Sequence, residues 1–128
     1  HDNEAADLIE LYRGSFIKST GDGLLATFDG PGRAVQCACA LVRRLAQLGI
    51  EARAGLHTGE IELRARDISG SAVHVAARIE ENSSAGEVLV SRTVVDLTIG
   101  NSFIECEPRG EFSLKGIPGR WPLYNATV

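Results

Sequence analysis

A Gly-Asp-Gly triplet between two β-prone runs fixes the first fold decision of this chain. In the stretch FIKSTGDGLLATF, from Phe16 to Phe28, glycines 21 and 23 let the backbone take φ > 0 without steric cost. The segment therefore reads as a β-hairpin with Asp22 at its tip. A hairpin needs only one glycine and any polar partner, so a solvated turn carboxylate is one reading of Asp22. The other is a carboxylate held at a rigid strand end, where it can ligate a metal ion. A lone lysine, Lys18, lies four residues upstream.

The elements around the hairpin follow from periodicity and punctuation. Asp2 to Tyr12 reads as a helix capped by Asp2 or Asn3, with Gly14 at its C′ position. After Asp29-Gly30-Pro31-Gly32, the residues Ala34, Val35, Ala38, Leu41, Val42, Leu45 and Leu48 recur at helical spacing, and Gly49 closes that helix. Glu51 to Leu63 alternates as a strand, with Gly55 and Gly59 marking bulges or close approaches. Arg64 to Gly70 reads as a polar loop. Ser71 to Glu81 is an amphipathic helix whose stripe is Ala72, Val75, Ala76 and Ile79. A short buried strand, Glu87 to Val90, precedes a helix capped by Ser91 and running to about Leu97. Phe103 to Ser113 and Trp121 to Thr127 read as two further strands. This order predicts an α/β or α+β sandwich, with helices packed on a largely antiparallel sheet, in one domain.

Composition narrows the function. The chain has 128 residues and a net charge of −4, enough for a real core and short of the clustered basic footprint of a nucleic-acid binder. Arg43-Arg44 is the only basic doublet. No apolar run approaches the ~20 residues of a membrane span, and no signal-peptide pattern is visible. Three cysteines, an odd number, argue against a disulfide framework and for reduced packing residues in a cytoplasmic compartment. Cys37 and Cys39 point to different faces of their helix. The chain begins at His1 and contains no methionine, which reads as a processed or trimmed piece.

Asp67 to Arg78, DISGSAVHVAAR, is the second informative stretch. His74 and Arg78 are four apart on a helix and share a face, and Asp67 lies just before that helix. A carboxylate, a histidine and an arginine can line one polar cleft, and the planar fork of arginine suits phosphate charge. The ordinary roles are a carboxylate favoured by the helix dipole, a half-buried histidine and a solvated helix charge.

The order K-S-T-G-D-G, H-T-G-E, D-I-x-G-x-x-V-x-x-A-x-R and L-K-G resembles the class III nucleotidyl (adenylate/guanylate) cyclase catalytic domain, in its short bacterial, actinobacterial-type form. The resemblance runs over almost the whole chain. It implies the ferredoxin-like, palm-type class III cyclase fold and the conversion of ATP to 3′,5′-cyclic AMP and pyrophosphate. It also implies two Mg²⁺ or Mn²⁺ ions per site and a homodimer with each site at the subunit interface, with no nucleic-acid partner and no membrane insertion. Asp22 matches a metal-binding aspartate. Lys18 and Asp67 match the pair that reads the base. Adenine offers an acceptor at N1 and a donor at its 6-amino group, which a lysine and an aspartate satisfy; guanine reverses that pattern. Arg78 matches the arginine that stabilises charge on the α-phosphate, and Lys115 a lysine that contacts the terminal phosphates. His74 stands where the family usually has an asparagine that hydrogen-bonds the ribose.

In the family dimer one chain gives the metal aspartates and the other the base-reading pair, the residue at position 74 and the arginine. On that logic Asp22 and Lys115 need not serve the same site as Lys18, Asp67, His74 and Arg78 of the same chain. The first family strand, which carries the other metal aspartate, is not matched here, so the domain over residues 1–128 reads as N-terminally incomplete. An alternative is a non-catalytic or weakly active cyclase-homology module for dimerisation or nucleotide sensing in a larger regulator. A diguanylate cyclase is disfavoured, because Gly21-Asp22-Gly23-Leu24 does not reproduce its Gly-Gly-acidic-Glu-Phe hairpin. His57 reads as a satisfied core or strand-end histidine, Trp121 as a core anchor, and Glu60, Glu62, Glu105 and Glu107 as strand-surface charges.

Overall fold

The computed structural model describes residues 2–21, 23–64 and 67–128. Its helices are α1 (Asp2–Leu11), α2 (Pro31–Gln47), α3 (Ser71–Glu81) and α4 (Arg92–Leu97). Its strands are β1 (Gly14–Thr20), β2 (Gly23–Phe28), β3 (Ala54–Leu56), β4 (Glu62–Arg64), β5 (Asp67–Ser69), β6 (Val88–Ser91), β7 (Glu105–Ser113) and β8 (Arg120–Thr127).

The sheet is organised on β6, whose four residues are all buried. Such a run has no polar alternation because both faces of the strand are covered. Val88 and Val90 enter one core cluster with Val35 and Cys39 of α2, Val94 of α4 and Ala126 of β8. Leu89, between them, enters the other cluster with Val75 and Ile79 of α3, Leu114 and Leu123. The period of two along the strand thus sends alternate side chains into two cores, with α2 and α4 on one side of the sheet and α3 on the other. The strand order is β3-β6-β8-β7. β3 and β6 pair in parallel, while β8 is antiparallel to both β6 and β7. The expected sandwich of helices on a mostly antiparallel sheet is the fold observed.

Several boundaries differ from the sequence expectation. Arg13, not Gly14, takes the left-handed conformation after α1, at φ 63°, and Gly14 opens β1. The stretch from Glu51 to Leu63 is not one strand. β3 belongs to the main sheet, whereas β4 pairs with β5 in a separate two-stranded ribbon. The expected loop at Arg64 to Gly70 therefore contains a strand, anchored by Ile68, which is 7% exposed. β3 packs closely on α3. A side-chain carbon on Gly55 would meet the backbone of α3, 2.7 Å from Glu80 Cα and 2.8 Å from the Ala76 carbonyl oxygen, so helix and strand touch main chain to main chain.

Ser91 precedes α4, but its hydroxyl makes no capping bond; it is instead 2.8 Å from His57 Nδ1. Trp121 is half-buried and donates its indole N–H to the Pro118 carbonyl at 3.1 Å. Cys37 and Cys39 are both buried, because α2 packs on α1 and β2 as well as on the sheet. Burial pushes both thiols up to about 11, so they are inert packing groups. Among the described residues no helix is long and apolar enough to cross a membrane.

Candidate functional site

The hairpin forms as expected, with β1 and β2 antiparallel from Gly14↔Phe28 to Thr20↔Gly23. Its register shifts between Phe16 and Lys18, so Ile17 is an extra residue in β1. That bulge breaks the alternation: Phe16 and Ile17 are both partly buried, and Lys18 turns outward. A bulge re-aims a side chain in this way. Lys18 Nζ reaches β5 and donates to Asp67 Oδ2 at 2.9 Å. The other Asp67 oxygen, Oδ1, accepts the N–H of Ile68 at 2.8 Å. The Lys18 ammonium, helped by that backbone N–H, holds the Asp67 carboxyl below the usual carboxylate range. Both side chains are about half exposed, 46% and 51%, so a ligand can reach the pair. Asp67 thus stands on β5, and it is Gly70, at φ 128°, that leads into α3.

Helix α3 carries the second group. Ala72, Val75 and Ile79 are its buried face, which leaves His74 exposed and Arg78 partly exposed. Arg78 Nη1 donates to both carboxylate oxygens of Glu81, each at 2.7 Å. Among the described residues Arg78 Nε is shielded from solvent without a hydrogen-bond partner.

Lys115 sits at the tip of a turn after β7. The N–H of Ile117 closes that turn on the Leu114 carbonyl at 3.0 Å, and Gly116 takes φ 78°, the positive φ that the third position of such a turn requires. A side-chain carbon at Gly116 would lie 3.7 Å from His74 Nε2, so the Lys115 turn is beside His74. The charges of Lys115 and His74 add to the Arg78 hydrogen bond in depressing the Glu81 pKa. Lys115 therefore gathers with His74 and Arg78 of its own chain. The path of the β7–β8 connection is what brings it there.

Asp22 lies outside the described residues. Among the described residues no three histidine, cysteine, aspartate or glutamate side chains group as a metal site. A groove between α1 and α2, lined by Glu4, Asp7, Leu8, Ala40 and Arg44, shares no residue with either group.

The fold and these positions can be set beside known proteins. Residues 7–125 match the family model described as the adenylate and guanylate cyclase catalytic domain. The chain belongs to this family. The cyclase domain is 32% identical over 118 residues to putative adenylate cyclase 3 of Rhizobium meliloti, covering 86% of this chain and 20% of that protein. The chain spans about a fifth to a third of the length of the curated relatives it matches. Among solved structures, the adenylate/guanylate cyclase/hydrolase of Silicibacter pomeroyi superposes with a TM-score of 0.86 at 30% identity, covering 97% of this chain and 78% of that one. The guanylate cyclase domain of Catenaria anguillulae in complex with GTP has a TM-score of 0.78 at 19% identity, covering 98% of this chain and 78% of that one; it shares the fold.

Three features of this cyclase domain escaped the sequence. The Ile17 bulge has no local signal, since neither glycine nor proline marks it. The Ser91–His57 contact joins residues 34 apart. The Arg78–Glu81 pair did have a signal, the i,i+3 spacing of opposite charges on a helix.

Proposed function

We propose that the chain is the adenylate-specific catalytic domain of a homodimeric cyclase. The observation that carries this reading is the direct contact of Lys18 with Asp67. A cationic donor and an anionic acceptor held side by side present one donor and one acceptor to a base edge. Adenine answers both, with N1 accepting from Lys18 and the 6-amino group donating to Asp67. Guanine opposes both with its own N1–H and O6. A base taken out of a stack is read through this edge.

Cyclisation joins the ribose 3′-oxygen to the α-phosphorus, breaks the bond to the bridging β-oxygen, and releases pyrophosphate and the hydroxyl proton. Phosphoryl transfer of this kind depends on positioning and on neutralising charge around phosphorus. Arg78 supplies cationic donors to the α-phosphoryl oxygens. His74 donates or accepts one hydrogen bond at the ribose, in place of the amide found in the resembled family. Lys115, beside His74, holds the terminal phosphates. Asp22 is the residue we assign to Mg²⁺ or Mn²⁺, which when bound would neutralise the triphosphate and acidify the 3′-hydroxyl. The second subunit completes each site.

The test is product formation. The full-length protein is supplied with ATP or GTP and Mn²⁺, and cyclic AMP and cyclic GMP are quantified by chromatography. Cyclic AMP formed in excess over cyclic GMP is expected. Nucleotide binding with no cyclic product would replace this reading with a nucleotide-sensing module.

A further inference from the structure

Arg78 is engaged within its own helix. Both oxygens of Glu81 converge on its Nη1 at 2.7 Å, one helical turn on and on the same face of α3. The Arg78 side chain is 28% exposed and that of Glu81 is 47%, so the ion pair is partly open to an incoming anion. The Asn82 amide donates to the Arg78 carbonyl at 2.9 Å, which fixes the end of the helix under the pair. Arg78 Nε is left shielded and unpartnered among the described residues, a donor that Glu81 does not use. Lys115 and His74 stand near enough for their charges to act on the same carboxylate. One anionic side chain thus has an arginine in contact and a lysine and a histidine in the neighbourhood.

We propose that Glu81 is an internal counter-ion of the phosphate subsite, occupying Arg78 until the phosphate chain of a nucleotide displaces it. The inference rests on the phosphate-binding assignment of Arg78 and Lys115 made above. An internal phosphoryl group offers two non-bridging oxygens that can take the guanidinium fork in charge-assisted geometry, where Glu81 engages a single nitrogen. Displacement costs the ion pair and brings a like charge toward the triphosphate. Glu81 therefore weakens ground-state binding and keeps the arginine ordered in the empty site.

The experiment compares wild-type full-length protein with Glu81→Gln, which keeps shape and removes charge. Glu111→Gln controls for net charge; Glu111 is an exposed strand residue whose ion partner is Arg120. Titration calorimetry with inorganic tripolyphosphate and with ATP should show Glu81→Gln binding both about two- to five-fold more tightly than wild type, the range set by one exposed ion pair. KM for ATP should fall with it, and Glu111→Gln should behave as wild type. Equal or weaker tripolyphosphate binding by Glu81→Gln, or no binding by either protein, overturns the proposal. So does a loss of kcat at constant KM, the mark of a residue that positions Arg78 instead of competing for it. If Glu81→Gln binds tripolyphosphate more tightly but neither protein makes a cyclic nucleotide, the counter-ion stands and the cyclase reading fails. If cyclic AMP is made and the affinities are equal, the counter-ion alone fails.

Discussion

Lys18 Nζ and Asp67 Oδ2 meet at 2.9 Å although 49 residues separate them in the chain. The contact joins the β1–β2 hairpin to the β4–β5 ribbon, two small sheets that are separate from the main sheet among the described residues. Neither partner would arrive without a backbone device: the bulge at Ile17 turns Lys18 out, and the Ile68 N–H fixes the Asp67 carboxylate from below.

If this pair reads the base, Lys18→Glu should invert its preference. The ratio of kcat/KM for ATP over GTP should fall by about 10-fold or more, since a mismatched polar pair costs roughly 1–3 kcal/mol. Asp67 has a depressed pKa with Lys18 as its first cause. The sign then follows: the ion pair is intact above the ordinary carboxylate range and is lost as pH falls through the lowered Asp67 value. Discrimination should be flat from neutral pH down to the carboxylate range. A ratio unchanged in Lys18→Glu removes the base-reading role.

Arg78→Ala should lower kcat on the order of 10²–10³-fold if its guanidinium meets charge developing in the transition state. Arg78→Lys should recover little of this, because one point charge does not replace the fork of donors. His74→Asn should raise turnover, since the amide gives the ribose a donor whose presence does not depend on a tautomer or on charge. Steady-state rates of cyclic AMP release measure all three. Wild-type turnover in Arg78→Ala would remove this arginine from the chemistry.

How far the sequence carried this result depends on the range of each interaction. The apolar stripe of α2 and the pairing of β1 with β2 are local, and these elements formed within a few residues of their expected ends. The strand expected from Glu51 to Leu63 failed because its alternation spans two pieces in different sheets. β3 pairs with β6, more than thirty residues on in sequence, while β4 pairs with β5 beside it. The same limit explains the site. His74 and Arg78 share a helix and were readable as a pair, whereas the turn of Lys115 beside them is set by β7 and β8. The residue types were visible; their grouping was a property of the sheet.

Gly55 leads to a prediction about stability. Its missing side chain leaves β3 in main-chain contact with Ala76 and Glu80 of α3. A methyl group there cannot be absorbed by a rotamer change, because its nearest neighbours are backbone atoms. Gly55→Ala should therefore cost about 3 kcal/mol, the upper part of the usual overpacking range, and α3 should shift together with His74 and Arg78. Urea unfolding measures the loss. Gly86→Ala is the comparison: its φ is positive at 83° but its side-chain direction is open, so only backbone strain is added. A Gly55→Ala midpoint within error of wild type would mean that β3 and α3 do not touch in this way.

His57 gives the pH dependence of the fold. Its ring stands edge-on to Trp121 with centroids 5.6 Å apart and planes at 81°, and its Nδ1 lies 2.8 Å from Ser91 Oγ, a hydroxyl with no exposure. Burial lowers its pKa from the ordinary 6.5, because the charged ring loses water that the indole edge and the serine do not replace. The unfolded chain thus binds a proton more readily than the folded one. The His57 contribution to stability is complete above about pH 6.5, declines as pH falls below that value, and levels off once the folded-state ring is protonated. Thermal unfolding midpoints between pH 7.5 and 5.5 should fall for wild type. They should fall less for His57→Gln, whose amide can still reach Ser91 but does not titrate. Asp67 and Glu87, whose pKa values are also depressed, titrate lower still and are common to both proteins, so the difference between the two curves isolates His57. Parallel curves for the two proteins would show that the ring is not desolvated in the folded state.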